Sequence, residues 1–272
     1  MAVKFNKYHG AGNDFIVIDN RGGNFQPDPT RIARMCHRRF GIGADGMMLL
    51  ESSTGYDFSM RYYNADGRES SMCGNGGRCM VDFARLMEII DKKTVFEAVD
   101  GIHEAKILPD GRISLKMQDV GDISRHQGND LIDTGSPHYV VHVEDLREID
   151  VVDRGRKIRN DPQISANGMN VDFIFSRGGQ HIDIRTYERG VEAETLACGT
   201  GAVAAAISAY LRSPAEGTSF ILHAQGGDLK VDFKTPDQKV FSDIWLTGPA
   251  QKVFEGYYSE SETESDPAKR GS

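Results

Sequence analysis

The sequence is short of several features that would each indicate a class of protein. It has four cysteines in 272 residues, too few for a disulfide-stabilised scaffold, so we expect reduced thiols. It has no run of about 18 apolar residues, so we expect no transmembrane helix. Its first residues, MAVKFNKYHGAGNDF, lack the apolar stretch of a secretory signal. These absences favour a soluble, cytoplasmic protein.

Positive charge is also in deficit. The chain has 32 basic and 40 acidic residues, a net charge of −8 at pH 7. No basic field is expected to attract phosphates, which argues against nucleic-acid and membrane partners. The final residues, 259–272, are polar and lack aromatic side chains, so we predict a disordered tail.

Motifs for metals and common cofactors are missing or misplaced. GIGADG (41–46) fits the dinucleotide pattern, but a helical segment precedes it and a strand-like one follows, which is the wrong order. Cys73 and Cys79 lack a second pair of ligands at zinc-like spacing. Neither H-E-x-x-H nor G-x-S-x-G occurs. We therefore predict no metal site, no Rossmann site and no simple hydrolase triad.

What the sequence does contain is an internal repeat. DFSMRYYNADGRESSMCGNGGRC (57–79) aligns with HIDIRTYERGVEAETLACGTGAV (181–203), and AGNDFIVIDN (11–20) aligns with TGSPHYVVHVED (134–145). Two copies are too few for a solenoid, so they predict two pseudo-symmetric domains. We place the boundary near QDVGDISRH, giving domains at 1–118 and 119–250.

Each half is predicted to be rich in strands, with few helices. FSMRYY alternates with a period of two, as do RISLKM and DLKVDF. PTRIARMCHRRF reads as a helix with an early proline and a glycine after its end. RCMVDFARLM and AVAAAISAYL have helical patterns, and each begins just after a glycine-rich segment that a cysteine precedes. The pattern indicates an α/β fold with one central helix in each half.

A cysteine just before a helix has a specific chemistry. The unpaired N–H groups and the helix dipole favour the thiolate, so we expect the thiol pKa values of Cys73 and Cys198 to lie below about 8.5. The same N–H groups can hold a carboxylate. Two thiols facing one carbon could invert it, one as base and the other as acid. Cys36 and Cys79 lie on helical patterns and read as small buried apolar residues instead.

The motifs HGAGNDF, YNADG, MCGNGGRC, GSPH, NVDFI, YERGVEAETLACGTGA and LTGPA resemble the diaminopimelate epimerase family over about residues 3–257. The resemblance implies two pseudo-symmetric α/β domains, each a β-barrel-like sheet around a helix, with 251–258 returning to the first. It implies interconversion of LL- and meso-diaminopimelate without pyridoxal phosphate or another cofactor, in lysine and peptidoglycan-precursor synthesis. A homodimer stays open.

The resemblance also implies roles for individual residues. Cys73 and Cys198 would be the acid–base pair, supported by Glu188 and His138. The reacting carboxylate would lie at Gly74, Asn75, Gly199 and Thr200, and the rest of the substrate at Asn13, Asn64, Asn170, Glu188 and Arg189. Two positions depart from the family pattern, since Gly46 and Ser136 stand where many members carry glutamine and asparagine. These two departures concern the details of substrate recognition and not the class of reaction.

Several alternatives remain at this point. Asn64 could merely belong to a turn, His138 could be a core histidine, and Glu188 could pair with Arg189 at the surface. The chain could be a cofactor-independent racemase of another amino acid. It could also be a thiol redox or binding protein, since acidic helix-start cysteines permit disulfide exchange.

Overall fold

The structure is a computed structural model that describes residues 2–165 and 167–259. Over these residues the chain forms 18 strands, joined in one continuous sheet, and four α-helices. This confirms the predicted mixed α/β class. The predicted disordered tail lies outside the described residues from position 260 onward. Within the described part, no helix is both long and apolar enough to cross a bilayer.

The first half of the chain supplies one series of paired strands. β18, from the end of the chain, pairs with β1, and the order then runs β1-β2-β3-β4-β6-β7-β8, with β5 beside β4. The strands of this series are β1 (Val3–Gly10), β2 (Asn13–Asp19), β3 (Gly46–Glu51), β4 (Ser59–Asn64), β5 (Glu69–Ser70), β6 (Lys93–Ala98), β7 (Gly101–Ile107), β8 (Ile113–Lys116) and β18 (Gln251–Tyr258).

The second half repeats this order of pairing. It runs β9-β10-β11-β12-β13-β15-β16-β17, with β14 beside β13, and β17 pairs with β8 to join the two series. Its strands are β9 (Ser124–His126), β10 (Asn129–Asp133), β11 (Pro137–His142), β12 (Asn170–Gly178), β13 (His181–Glu188), β14 (Ala193–Thr195), β15 (Ser219–Ala224), β16 (Gly227–Lys234) and β17 (Ser242–Gly248).

Strand directions match as well. β2 runs parallel to β3, as β11 does to β12, and β4 runs parallel to β6, as β13 does to β15. The internal repeat in the sequence therefore corresponds to two sets of strands with the same connectivity. Equivalent residues of the two copies consequently occupy equivalent positions in the two sets.

One helix packs inside each series. α2 (Gly74–Leu86) contacts β1, β2, β3, β7 and β8, and α4 (Gly199–Arg212) contacts β10 to β13 and β15 to β17. The predicted apolar stripe of α2 is buried at Cys79, Met80 and Phe83, whereas Leu86 is 44% exposed because the helix ends there. α4 is buried from Gly201 to Tyr210, which its alanine-rich, uncharged sequence permits.

The remaining helices lie outside these cores. α1 (Pro29–Cys36) has proline at its start, and Asp28 caps it by accepting the N–H of Arg31. α3 (Val151–Arg159), which the sequence patterns did not identify, is capped by Asp150. A short 3-10 turn covers Pro214–Glu216.

Candidate active site

The two central helices begin beside each other. A methyl group placed on Gly199, the first residue of α4, would lie 3.9 Å from the Cα of Gly74, the first residue of α2. The Asn75 amide donates a hydrogen bond of 3.1 Å to the carbonyl of Ala197 and so links the two halves. Each helix start has backbone N–H groups without helical partners. Together they form one site suited to an anion.

These helix starts open into a cleft of about 1590 Å³, referred to below as the central cleft. Residues of both halves line it. His138 is the one predicted site residue that does not line it, because it is wholly buried behind the wall. The predicted residues at the cleft surface are Asn13, Asn64, Cys73, Gly74, Asn75, Asn170, Glu188, Arg189, Cys198, Gly199 and Thr200.

Cys73 caps α2 with its sulfur. The N–H of Gly76 donates to Cys73 Sγ at 3.3 Å, and Sγ lies 3.9 Å from Asn13 Oδ1. Burial raises the pKa of Cys73 to about 11, since the apolar surroundings disfavour the thiolate more than the Gly76 N–H favours it. The prediction of a lowered pKa is therefore wrong for Cys73, because it omitted the desolvation that the meeting of the two halves causes.

Cys198 precedes α4 in the equivalent position but has different neighbours. Its Sγ lies 3.4 Å from Thr200 Oγ1, and its side chain makes no capping hydrogen bond to the helix. Burial, and after it the charges of Glu188 and Asp172, raise the pKa of Cys198 well above its ordinary value. The lowered pKa predicted for this thiol is wrong as well.

Behind Cys198 lies a buried chain of polar side chains. His138 Nδ1 is 2.7 Å from Asp172 Oδ2, and His138 Nε2 is 3.0 Å from Thr200 Oγ1. His138 and Asp172 are wholly buried. The carboxylate holds the ring in one orientation, and the ring holds the Thr200 hydroxyl beside Cys198. His138 thus reaches the thiol through Thr200.

Asp172 was missed in the sequence, although a signal existed. It is the one acid within NVDFI, two residues after Asn170 in the buried first half of β12. Parallel pairing of β11 with β12 sets His138 opposite Asn170 and Val140 opposite Asp172, so the acid falls near the histidine ring. A buried acid needs such a partner.

Glu188 ends β13, Arg189 follows it, and the two side chains have different partners. Among the described residues they form no ion pair with each other, contrary to one alternative considered for them. The N–H of Arg189 donates to Asn170 Oδ1 at 2.8 Å, and the Asn170 amide donates to Ser136 Oγ at 2.9 Å. Burial raises the pKa of Glu188. Its carboxyl group lies at the cleft, where it can accept or hold a proton.

Asn13 and Asn64 lie on the first-half wall. The Asn13 amide donates to Asp45 Oδ2 at 2.7 Å, which orients the Asn13 oxygen toward Cys73 and Asn75. Asn64 begins a turn closed by Gly67, whose φ of +86° suits glycine. The turn predicted as an alternative for Asn64 is present, and the residue also lines the cleft.

Arg78 is a second residue that the sequence did not single out. It lies in the motif MCGNGGRC and is wholly buried under the start of α2. Arg78 Nη2 donates to Asn75 Oδ1 at 2.7 Å and Nε to the Pro249 carbonyl at 3.3 Å, while Nη1 has no partner. Within the described residues it forms no ion pair. Its charge lowers the pKa of Cys73, against the larger effect of burial.

Comparisons with known proteins agree on a family. A family profile described as diaminopimelate epimerase matches residues 5–121 and 131–253. A diaminopimelate epimerase of Flavobacterium psychrophilum is 46% identical over 254 residues, covering 93% of this chain and 99% of that one. One of Chlorobaculum tepidum is 42% identical over 255 residues, covering 91% and 98%.

Solved structures share the fold at low identity. A phenazine biosynthesis protein of the PhzF family from Bacillus anthracis has a TM-score of 0.73 at 16% identity, covering 96% of this chain and 100% of that one. A hydroxyproline epimerase from Agrobacterium vitis has a TM-score of 0.66 at 16% identity, covering 94% and 92%.

Proposed function

The chain belongs to the diaminopimelate epimerase family, and we propose that Cys73 and Cys198 are the acid–base pair of its reaction. The protein is an isomerase that interconverts LL- and meso-diaminopimelate, a small-molecule substrate of lysine biosynthesis. One observation carries the assignment of the pair. Two helix starts, one from each half and each preceded by a cysteine, meet over a single cleft.

In the proposed mechanism, the thiolate of one cysteine removes the α-proton from one face of the substrate. The thiol of the other cysteine delivers a proton to the opposite face, which inverts the carbon. The two groups then hold exchanged protonation states, and the reverse reaction runs with their roles reversed. The reacting carboxylate lies at Gly74, Asn75, Gly199 and Thr200, whose N–H groups stabilise the charge that develops as the proton leaves.

Cys73 is the thiol that ionises when substrate binds in this proposal. The Gly76 N–H and the Arg78 cation favour its ionised form, Glu188 disfavours the ionised form of both thiols, and Asp172 further disfavours that of Cys198. Burial still keeps the Cys73 pKa at about 11 in the free cleft. The ammonium group of a bound substrate adds positive charge beside the sulfur and lowers that pKa further.

The other cleft residues hold the substrate in this scheme. Asn13, Asn64, Asn170 and Arg189 contact its remaining polar groups, including its distal amino-acid end, and Glu188 accepts from it. The position of all five residues at the cleft surface supports this assignment. His138 acts as a positioning residue, because it touches Thr200 and not the cleft.

The proposal also covers the domain arrangement, the location in the cell and the oligomeric state. Residues 1–118 with 251–258, and 119–250, are two domains that close on the substrate, as the two equivalent strand series support. The protein works in the cytoplasm without a nucleic-acid partner. It forms a homodimer, for which the exposed apolar side chains of Val253, Phe254 and Tyr257 on the terminal strand are candidate contacts.

The test uses reduced protein, LL-diaminopimelate and heavy water, without added cofactor. Proton NMR should show loss of the α-proton signal, and chiral chromatography should show the meso isomer. If folded protein with free thiols does neither, the same assay over a panel of amino acids tests the alternative racemase. The relatives at 46% and 42% identity favour diaminopimelate over that alternative.

A further inference from the structure

Tyr62 lines the central cleft, although neither the repeat nor the family resemblance gives it a role. It lies on β4, and its ring meets Phe15 edge-on with the centroids 6.0 Å apart. Phe15 is fully buried beside the start of α2, where a methyl group on Gly76 would lie 3.6 Å from Phe15 Cζ and 3.3 Å from Cys73 Sγ. Core packing therefore holds the Tyr62 ring near Cys73.

Room for this ring depends on Gly46. A Cβ at position 46 would lie 2.6 Å from Tyr62 Cε2 and 3.0 Å from the Tyr62 hydroxyl oxygen. It would also lie 2.6 Å from the carbonyl oxygen of Tyr63 on the paired strand. Contacts this short force a neighbour to move. The family resemblance implied glutamine at position 46 in many members; in this chain the missing side chain leaves the space that the Tyr62 ring occupies.

The Tyr62 hydroxyl is free to bind a ligand. None of the hydrogen bonds found among the described residues involves the Tyr62 hydroxyl, and Tyr62 lines the cleft. Burial, and after it the nearby Cys73, Asp45, Cys36 and Glu188, raise the pKa of Tyr62. The hydroxyl therefore stays neutral and lies near the carboxyl groups of Asp45 and Glu188. Such surroundings favour a cationic ligand group.

We propose that the Tyr62 hydroxyl oxygen accepts a hydrogen bond from the ammonium group on the reacting carbon of the substrate, in the space that Gly46 leaves for it. We assign the contact to the reacting end of the substrate because Tyr62 lies beside Cys73. The inference rests on the proposed function. It assigns a substrate contact, and with it part of the recognition of an α-amino acid, to a residue for which the family resemblance implied none.

The experiment compares Tyr62→Phe with Tyr63→Phe. Tyr63 is the next residue on β4, and its buried hydroxyl, which also has no partner, faces a different apolar cluster. Each variant removes one oxygen and keeps the ring. The ammonium group would make this hydrogen bond in both the bound substrate and the transition state. Loss of such a bond raises KM. For Tyr62→Phe we expect KM for LL-diaminopimelate to rise about 10- to 100-fold with kcat within about threefold.

The control and the wild type separate the possible outcomes. Tyr63→Phe should keep the wild-type kcat and KM, and both variants should keep the wild-type melting temperature within a few degrees. An unchanged KM in Tyr62→Phe, beside an active wild type, overturns the inference and leaves the proposed function standing. Equal effects in both variants also overturn it. A folded wild type that does not epimerise diaminopimelate overturns the proposed function itself.

Discussion

At the start of α2, Cys73 accepts the N–H of Gly76 and lies above Arg78, a buried cation without an ion-pair partner among the described residues. At the start of α4, Cys198 makes no such bond and has the carboxylates of Glu188 and Asp172 nearby. The backbone and the sequence motif are alike, and Glu188 raises the pKa of both thiols, but Arg78 favours the thiolate at Cys73 whereas Asp172 disfavours it at Cys198. Two equivalent helix starts can therefore offer one proton acceptor and one proton donor.

Removing either sulfur should have the largest effect. Cys73→Ala and Cys198→Ala each remove one of the two proton carriers, so we expect epimerisation to fall by about 10³-fold or more. The measurement is the initial rate of meso isomer formation from LL-diaminopimelate. Cys36→Ala is the control, because Cys36 is buried in α1 and does not line the cleft, and it should stay active. Near-normal turnover by either active-site variant rules out a two-thiol mechanism.

Removing the buried acid behind Cys198 should have the next largest effect. Asp172→Asn loses the carboxylate that orients His138, so we expect kcat to fall about 10- to 100-fold. It also removes a charge that raises the Cys198 pKa, so alkylation of Cys198 by iodoacetamide should become faster. Peptide mass spectrometry measures the alkylation.

The matched control for the buried acid is Asp183→Asn, on the neighbouring strand β13. Asp183 pairs with Arg177 near the surface, and its loss should change neither kcat nor the alkylation of Cys198. If Asp172→Asn behaves like Asp183→Asn, the chain from Asp172 through His138 and Thr200 has no part in positioning the site.

Substitution of Arg78 tests whether the buried cation at the start of α2 favours the thiolate of Cys73. With a pKa of about 11, Cys73 should be alkylated about tenfold more slowly for each unit by which the pH lies below that value. Arg78→Met removes the cation, which raises the Cys73 pKa, so alkylation at a fixed pH of about 8 should slow by about 3- to 10-fold. Cys198 should react as before.

Arg85→Met is the control for Arg78, since Arg85 lies on the same helix and pairs with Asp82 at the surface. It should leave the Cys73 rate unchanged. If the alkylation rate of Cys73 is also unchanged in Arg78→Met, the buried cation does not act on the thiol.

The smallest expected effect is on stability, at two glycines that occupy equivalent positions in α2 and α4. A Cβ at Gly201 would lie 2.5 Å from Asp172 Oδ1, whereas one at Gly76 would lie 3.0 Å from Met48 Sδ, on a flexible side chain. We expect Gly201→Ala to lower the free energy of unfolding by about 1–3 kcal/mol and Gly76→Ala by less. Urea unfolding measures both. The reverse order would show that the Asp172 carboxylate is free to move aside.

Much of this site was accessible from the sequence because it lies in the repeated segments. The two cysteines, their glycines and the central helices all belong to the duplicated pattern, and the structure places them together. Arg78 lies in the same segment, but the second copy has Val203 at its position, and the burial of Arg78 depends on Pro249 and Gly248, distant in sequence.

The direction of the thiol pKa shifts could not be obtained from local rules. A helix start favours a thiolate, but the desolvation that outweighs this effect arises when two halves of the chain meet. The role of Asp172 likewise requires the parallel register of β11 and β12. These contributions are tertiary, and no short motif contains them.

The central claim is that two different groups handle the proton on the two faces of one carbon. Its most direct test is the early distribution of deuterium when LL-diaminopimelate reacts in heavy water. We predict that the first meso product carries deuterium at the inverted carbon, while the remaining LL isomer still carries its proton. Meso product that keeps the original proton, or LL substrate that gains deuterium before any meso isomer forms, would contradict the account.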